Sequence, residues 1–157
     1  MTDAFPTTSY LAWQFSQIIA GRLERALREE HLTLAQHNAL LHTVRTPGLS
    51  VADIARRSDI TAQSMGAAVN QLVERGLLRR EPHPASRRSM RLFATEDGRT
   101  TAARALAISQ RIDSETTTAL SRDEGSTMYQ LLYRLVEDLN PASLAGSSRA
   151  TEPGTSK

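Results

Sequence analysis

Apolar residues recur at helical spacing through most of the chain. Leu11, Phe15, Ile18, Ile19, Leu23, Ala26 and Leu27 return at intervals near three and four, which predicts an amphipathic helix from Ser9 to about Glu30. Trp13 and Phe15 fall on different sides of it, so the helix needs more than one packing partner. Thr33-Leu34-Ala35-Gln36 has the form of a capping box and predicts a second helix to about Val44, stopped before Pro47-Gly48. Ser50-Val51-Ala52-Asp53 repeats the box and opens a short helix to about Ser58, with Val51, Ile54 and Ala55 inward. Asp59-Ile60 makes a turn, and Thr61 caps a helix from Ala62 to Arg75 whose stripe is Met65, Val69, Leu72 and Val73. Gly76 supplies the left-handed residue that ends it.

After Gly76 the pattern changes. Leu77–Arg80 reads as a short strand and Ser89–Phe93 as its antiparallel return, joined by a long loop, EPHPASRR, in which Pro82 and Pro84 forbid a helix interior. Arg79 and Arg80 alternate on the strand, so at most one need face a ligand shared with the preceding helix. Thr95 caps a long helix from about Glu96 to Arg122, carried by Ala102, Ala103, Leu106, Ala107, Ile112 and Leu120, and broken at Gly125-Ser126. Met128, Leu131, Leu132, Leu135, Val136 and Leu139 mark a last helix from about Gly125 to Asn140. The remainder, PASLAGSSRATEPGTSK, is too poor in apolar residues to offset the entropy of ordering and reads as a disordered tail. The expected fold is mainly α, a helix-turn-helix with a two-stranded hairpin wing. Its divisions are a flexible segment 1–8, a helix 9–32, a winged lobe 33–95, terminal helices 96–140 and the tail 141–157. The terminal helices can pack together within one chain or against a second copy.

Composition narrows the classes. Only seven of 157 residues are aromatic, which favours helices over a sandwich or barrel. The absence of cysteine excludes a disulfide scaffold, a thiolate zinc site and a thiol switch, and fits the cytoplasm. No apolar run reaches membrane-spanning length, and MTDAFPTTSY lacks a basic region followed by an apolar core, so no signal peptide and no membrane partner are expected. Net charge is +2 but unevenly placed: residues 50–91 hold eight Arg against four acids, and residues 113–138 hold six acids against two Arg. A local basic surface says more about a nucleic-acid partner than total charge does.

A helix fits the major groove of DNA, where base pairs present distinct donors and acceptors, and the helix after the turn is the usual reader. With its stripe inward, this one offers Gln63, Ser64, Gly66, Ala67 and Asn70. Gln63 and Asn70 suit adenine edges, and Ser64 suits a base or a phosphate. Gly66 and Ala67 permit close approach, although Gly66 costs the helix about 1 kcal/mol relative to Ala. Arg87 and Arg88 of the wing suit a minor groove and a phosphate, and Arg56 and Arg57 the backbone. The same unit also serves as a dimerisation or protein-binding module, and residue pattern leaves that alternative open. No glycine-rich phosphate loop, HExxH or nucleophile elbow is present, so no enzyme and no cofactor are expected. His31, His37 and His42 lie six and five apart, not at the four-residue spacing that puts two ligands on one helix face, so no metal site is expected.

The segment LSVADIARRSDITAQSMGAAVNQLVERGLLRR, the paired wing arginines and the ATEDG that opens the long helix together resemble the MarR family of winged helix-turn-helix regulators, over roughly Ser9 to Leu139. The resemblance implies a homodimer whose N- and C-terminal helices intertwine with those of its partner. It implies a recognition helix at Ala62–Arg75, a wing at Arg79–Phe93, and a palindromic double-stranded operator that the protein represses. It also implies release of DNA when a small aromatic or phenolic compound enters a cleft between the dimerisation helices and the DNA-binding lobe. Trp13, Phe15, His37, Leu41 and Arg45 are the candidate lining of that cleft, with Trp13 also a candidate for dimer core. Such a regulator works in the cytoplasm, on the nucleoid when DNA-bound. The chain departs from the family pattern at Ser86, where an Asp usually precedes the wing arginines, at Gly66 and Ala67, where Thr and a longer polar residue are common, and at Ala94.

Overall fold

The computed structural model describes residues 6–146, apart from the side chains of residues 86–88. The chain forms α1 (Thr8–Leu27), a 3-10 turn (Arg28–Glu30), α2 (Leu34–Arg45), α3 (Val51–Arg57), α4 (Ala62–Glu74), β1 (Leu78–His83), β2 (Ser86–Ala94), α5 (Glu96–Thr116), α6 (Arg122–Leu139) and a second 3-10 turn (Pro141–Leu144). It is a mainly helical protein with one antiparallel hairpin. The capping boxes are formed: Thr33 with Gln36 opens α2, and Ser50 with Asp53 opens α3. Thr61 caps α4 by accepting from the Ser64 amide. α4 ends at Gly76 (φ +70°), where the Leu77 amide reaches back to the Leu72 carbonyl at 2.9 Å.

α2 is the hub of the lobe, packing on α1, α3, α4, α5 and β2. The core between them holds Leu40, Ile54, Met65, Val69, Leu72, Leu78 and Leu92. Gly48-Leu49 exchanges two backbone bonds with Leu92, which ties the α2–α3 turn to β2. Two close fittings join the wing to α5. The Thr95 hydroxyl donates to the Gly76 carbonyl at 2.7 Å while accepting from the Gly98 amide at 3.0 Å. Gly98 itself lies so near β1 that a Cβ there would sit 1.9 Å from the Leu77 carbonyl oxygen. The glycine of ATEDG is therefore required by packing.

Several boundaries differ from the sequence expectation. The hairpin is longer and its turn tighter than the EPHPASRR loop: β1 continues through Pro82, and only Pro84 and Ala85 lie between the strands. A proline breaks a ladder bond only where its nitrogen faces the partner strand, and a two-stranded ribbon leaves alternate nitrogens facing outward. Pro82 pairs with Met90 and His83 with Ser86, so the register shifts there and skips residues 87–89. The long helix ends at Thr116 rather than Arg122. Thr116 and Thr117 hydroxyls bond back to the Ile112 and Asp113 carbonyls, and a third threonine follows, all unfavourable for continuing a helix. Gly125 does not break it but lies inside the first turn of α6, which a Ser121–Glu124 capping box starts. The segment after Asn140 is ordered as far as residue 146 rather than disordered from Pro141. The rest of the expected tail, 147–157, and residues 1–5 lie outside the described residues.

Candidate nucleic-acid interface

α4 is amphipathic, and its packing settles which residues are offered outward. Met65, Ala68, Val69 and Leu72 are buried against α2 and α3, which leaves Gln63, Ser64, Ala67 and Asn70 exposed on the opposite face. Gly66 is half-buried at the margin; a Cβ there would meet nothing nearer than Val51 at 4.0 Å. Nothing among the described residues requires glycine at that position. The Ser64 hydroxyl accepts from Thr61 Oγ1 at 2.9 Å and so belongs to the helix cap. Asn70 Oδ1 accepts from Arg80 Nη2 at 2.5 Å, joining the outer face of α4 to β1.

The arginines divide by what they touch. Arg56 is exposed and pairs with Asp53 at 2.7 Å, a surface pair of small net worth that leaves it able to exchange the carboxylate for a phosphate. The Ser50 hydroxyl and amide, then the hydrogen bond and charge of Arg56, hold the Asp53 carboxyl below the usual carboxylate range. Arg57 is engaged elsewhere: its Nη1 donates to Thr46 Oγ1 at 3.0 Å and to the Ala145 carbonyl at 3.2 Å. The C-terminal segment thus straps the end of α6 to α3. Gly146 (φ +84°) closes that fit, since a Cβ there would lie 2.7 Å from Thr46 Oγ1. The expectation that Arg57 faces the backbone of DNA missed this contact, because sequence placed its partner in a disordered tail. Arg79 lies over the Phe93 ring (4.9 Å) and pairs with Glu81; Arg91 lies over Phe93 as well (5.0 Å). The alternation leaves Arg79 and Arg80 equivalent, and the register, which pairs Arg79 with Phe93 and Arg80 with the buried Leu92, assigns Arg79 to the wing and Arg80 to α4. The side chains of Ser86, Arg87 and Arg88 lie outside the described residues; their backbone belongs to β2 at the shift of register.

The residues expected to line a ligand cleft are brought together only in part. His37 is buried on α2, and its Nε2 is 3.0 Å from Ser109 Oγ on α5. Ser109 also donates to the Ala105 carbonyl at 3.2 Å, so its oxygen accepts from a protonated Nε2, and the unpartnered His37 Nδ1 is then a bare lone pair. Burial, then the charge of Arg45, lowers the His37 pKa to about 4, which keeps the ring neutral. His42, one turn and a half further along α2, is lowered to about 4 by burial and by Arg57 and Arg45. Leu41 packs against the lobe core, Phe15 is half-buried on α1, and Arg45 is exposed at the end of α2. Trp13 stands apart, 55 % exposed, its ring centroid 6.1 Å from that of Tyr10. Among the described residues no group of His, Asp and Glu is arranged to hold a metal. No described helix is long and apolar enough to cross a membrane.

A second surface has little to pack on among the described residues. α6 has no buried residue, and among the described residues its one substantial neighbour is the 3-10 turn that follows it. Met128, Leu131, Leu132, Leu135, Val136 and Leu139 form a continuous apolar stripe along it, and Leu11, Trp13 and Ile18 on α1 are also exposed. Monomers rarely leave so extended an apolar stripe in water.

Comparison with known proteins agrees with this geometry. A family model described as MarR family matches residues 32–89, from the end of the first 3-10 turn into the wing. The HTH-type transcriptional repressor Rv2887 of Mycobacterium tuberculosis is 28% identical over 129 residues, spanning 82% of this chain and 93% of that protein. The crystal structure of Rv2887 in complex with salicylic acid superposes with a TM-score of 0.73 at 27% identity, covering 86% of this chain and 99% of that one. The structure of Rv2887 in complex with DNA superposes with a TM-score of 0.71 at 25% identity, covering 82% and 96%.

Proposed function

We propose that this chain, which belongs to the MarR family of winged helix-turn-helix transcriptional regulators, is a homodimeric repressor that reads a palindromic duplex and releases it to a small aromatic or phenolic compound. The observation that carries the reading is the pairing of two unsatisfied surfaces on one chain. One is the polar outer face of α4 flanked by the wing; the other is the exposed apolar stripe of α6 together with the exposed apolar residues of α1. Burying the second against its own symmetry mate presents the first twice, and two recognition helices about one DNA turn apart (~34 Å) enter successive major grooves. In this division α1, α5 and α6 are the dimerisation helices and residues 33–95 the DNA-binding lobe. Gln63, Ser64, Gly66 and Ala67 face the bases, and Arg56, Arg87 and Arg88 supply wing and backbone contacts. The protein works in the cytoplasm and on the nucleoid.

Release follows from the seam between lobe and dimerisation helices. α2 meets α5 there through His37 and Ser109, close to Arg45. A ligand whose ring packs by Phe15 and Leu41 and whose acidic group meets Arg45 would move the lobe against α5 and change the spacing of the two α4 helices. Rv2887 in complex with salicylic acid supports this ligand class.

The test is selection of duplex fragments from the source genome by the purified protein, a salt series on the best fragment, and titration with salicylate. A palindromic site bound with a steep salt slope and released by salicylate is expected. A stable dimer with no salt-dependent binding to any fragment would instead establish a protein-interaction module.

A further inference from the structure

We infer that Arg80 grips a backbone phosphate beside the recognition helix and that Asn70 is its positioning residue rather than a reader of adenine. The inference rests on the reading that α4 enters a major groove. Arg80 follows the buried Leu78 by two on β1 and pairs in register with the buried Leu92, so its side chain leaves the core edge alongside α4 rather than on the Phe93 face that holds Arg79. There it meets the ninth of the thirteen residues of α4, Asn70, with Nη2 at 2.5 Å from Oδ1. Both residues are exposed.

The chemistry of this pair differs from that of its neighbours. Arg56, Arg79, Arg99, Arg104 and Arg111 are each paired with a carboxylate, which orients the cation but also offsets its charge. Arg80 is held by a neutral amide. Among the described residues no carboxylate meets it, so its direction is fixed while its positive charge and its other N–H donors stay on offer, the arrangement suited to a bidentate phosphate contact. Position on the helix favours phosphate over a base edge. In this motif the N-terminal part of the recognition helix reaches the bases, and a group set beside its C-terminal half lies at the rim of the groove. Arg80 also occupies one of the two lone pairs of Asn70 Oδ1, so a bidentate adenine contact would have to share that oxygen with the guanidinium.

The test uses the full chain and duplexes enriched by the wild-type protein from a random-sequence pool, with binding measured by fluorescence anisotropy across a salt series. Arg80→Ala is expected to weaken enriched and scrambled duplexes by a similar factor, roughly tenfold or more, and to lower the salt slope by about 0.9 per protomer. Arg80→Lys keeps the slope. Asn70→Ala gives a smaller loss with slope and enriched sequence unchanged, and adds nothing to Arg80→Ala in the double variant. Asn70→Asp, which places a carboxylate on Arg80, approaches the loss of Arg80→Ala. Since both side chains are exposed, melting temperatures of all variants stay near wild type. An unchanged salt slope in Arg80→Ala overturns the proposal. So does an Asn70→Ala variant that enriches a different base or adds fully to Arg80→Ala. Wild-type protein that binds no duplex in a salt-dependent way overturns the DNA reading itself, and this inference with it.

Discussion

The winged lobe and α6, the last of the terminal helices, follow opposite packing rules. In the lobe, short helices of seven to thirteen residues bury their stripes within one chain, and Leu40, Ile54, Met65, Val69 and Leu72 are fully enclosed. α6 is longer, at 18 residues, and as carefully capped, yet it buries nothing, and Leu135 and Leu139 remain 57 % and 80 % exposed. Capping and periodicity are equally good in both regions. The difference is therefore not one of helix quality but of where each apolar face finds its partner. A lobe that closes on itself can act as a rigid reading head, whereas a helix that does not close on its own chain leaves room for assembly and for adjustment.

That contrast can be broken most sharply at α6. Leu131→Asp with Leu135→Asp should abolish self-association, at a cost of roughly 4 kcal/mol or more to the dimer if the stripe is an interface, read by sedimentation equilibrium. A solvent-facing stripe would change little, within about 0.5 kcal/mol. Gly98→Ala attacks the joint between the lobe and α5, the helix that leads to α6. With no room for a Cβ against the Leu77 carbonyl, it should lose roughly 3 kcal/mol in denaturant titration, where an ordinary helical Gly→Ala would gain stability.

Acid should loosen the lobe and its seam with α5 before it affects α6. His37 and His42 have folded pKa values of about 4 against an ordinary 6.5. Between those values the unfolded chain binds more protons than the folded one, so their contribution is complete above pH 6.5 and falls as pH drops toward 4. A loss on the order of 2 kcal/mol per histidine is expected by pH 5, measured as the shift in denaturant midpoint, and His37→Gln should flatten the dependence. The smallest effect belongs to Gly66→Ala. With open space around the position, it should stabilise the lobe by about 1 kcal/mol. Weaker duplex binding by the same variant would show that the glycine serves close approach to DNA, and unchanged binding would remove it from the interface.

Much of the lobe was legible because its determinants are local. Thr33–Gln36, Ser50–Asp53 and Gly76 each act within a few residues, so periodicity and capping located α2, α3 and α4 to within a residue or two. The end of α5 was misplaced because Gly125 is the stronger breaker by composition, whereas three threonines bonding back on their own helix and the Ser121–Glu124 box decided the boundary. The hairpin loop was overdrawn because proline's cost depends on which way its nitrogen faces.

Sequence alone determined the helix-turn-helix with its wing, the family resemblance and the excess of apolar surface on the terminal helices, since these follow from residue types at short spacing. Only the tertiary structure decided how the arginines are used. Arg57 is bound to Ala145, 88 residues away, Arg79 rests on Phe93, and Arg80 reaches Asn70 across ten residues and two elements. A long flexible cation can reach many partners, and which one it meets is fixed by the packing of the elements that carry it, not by its neighbours in the chain.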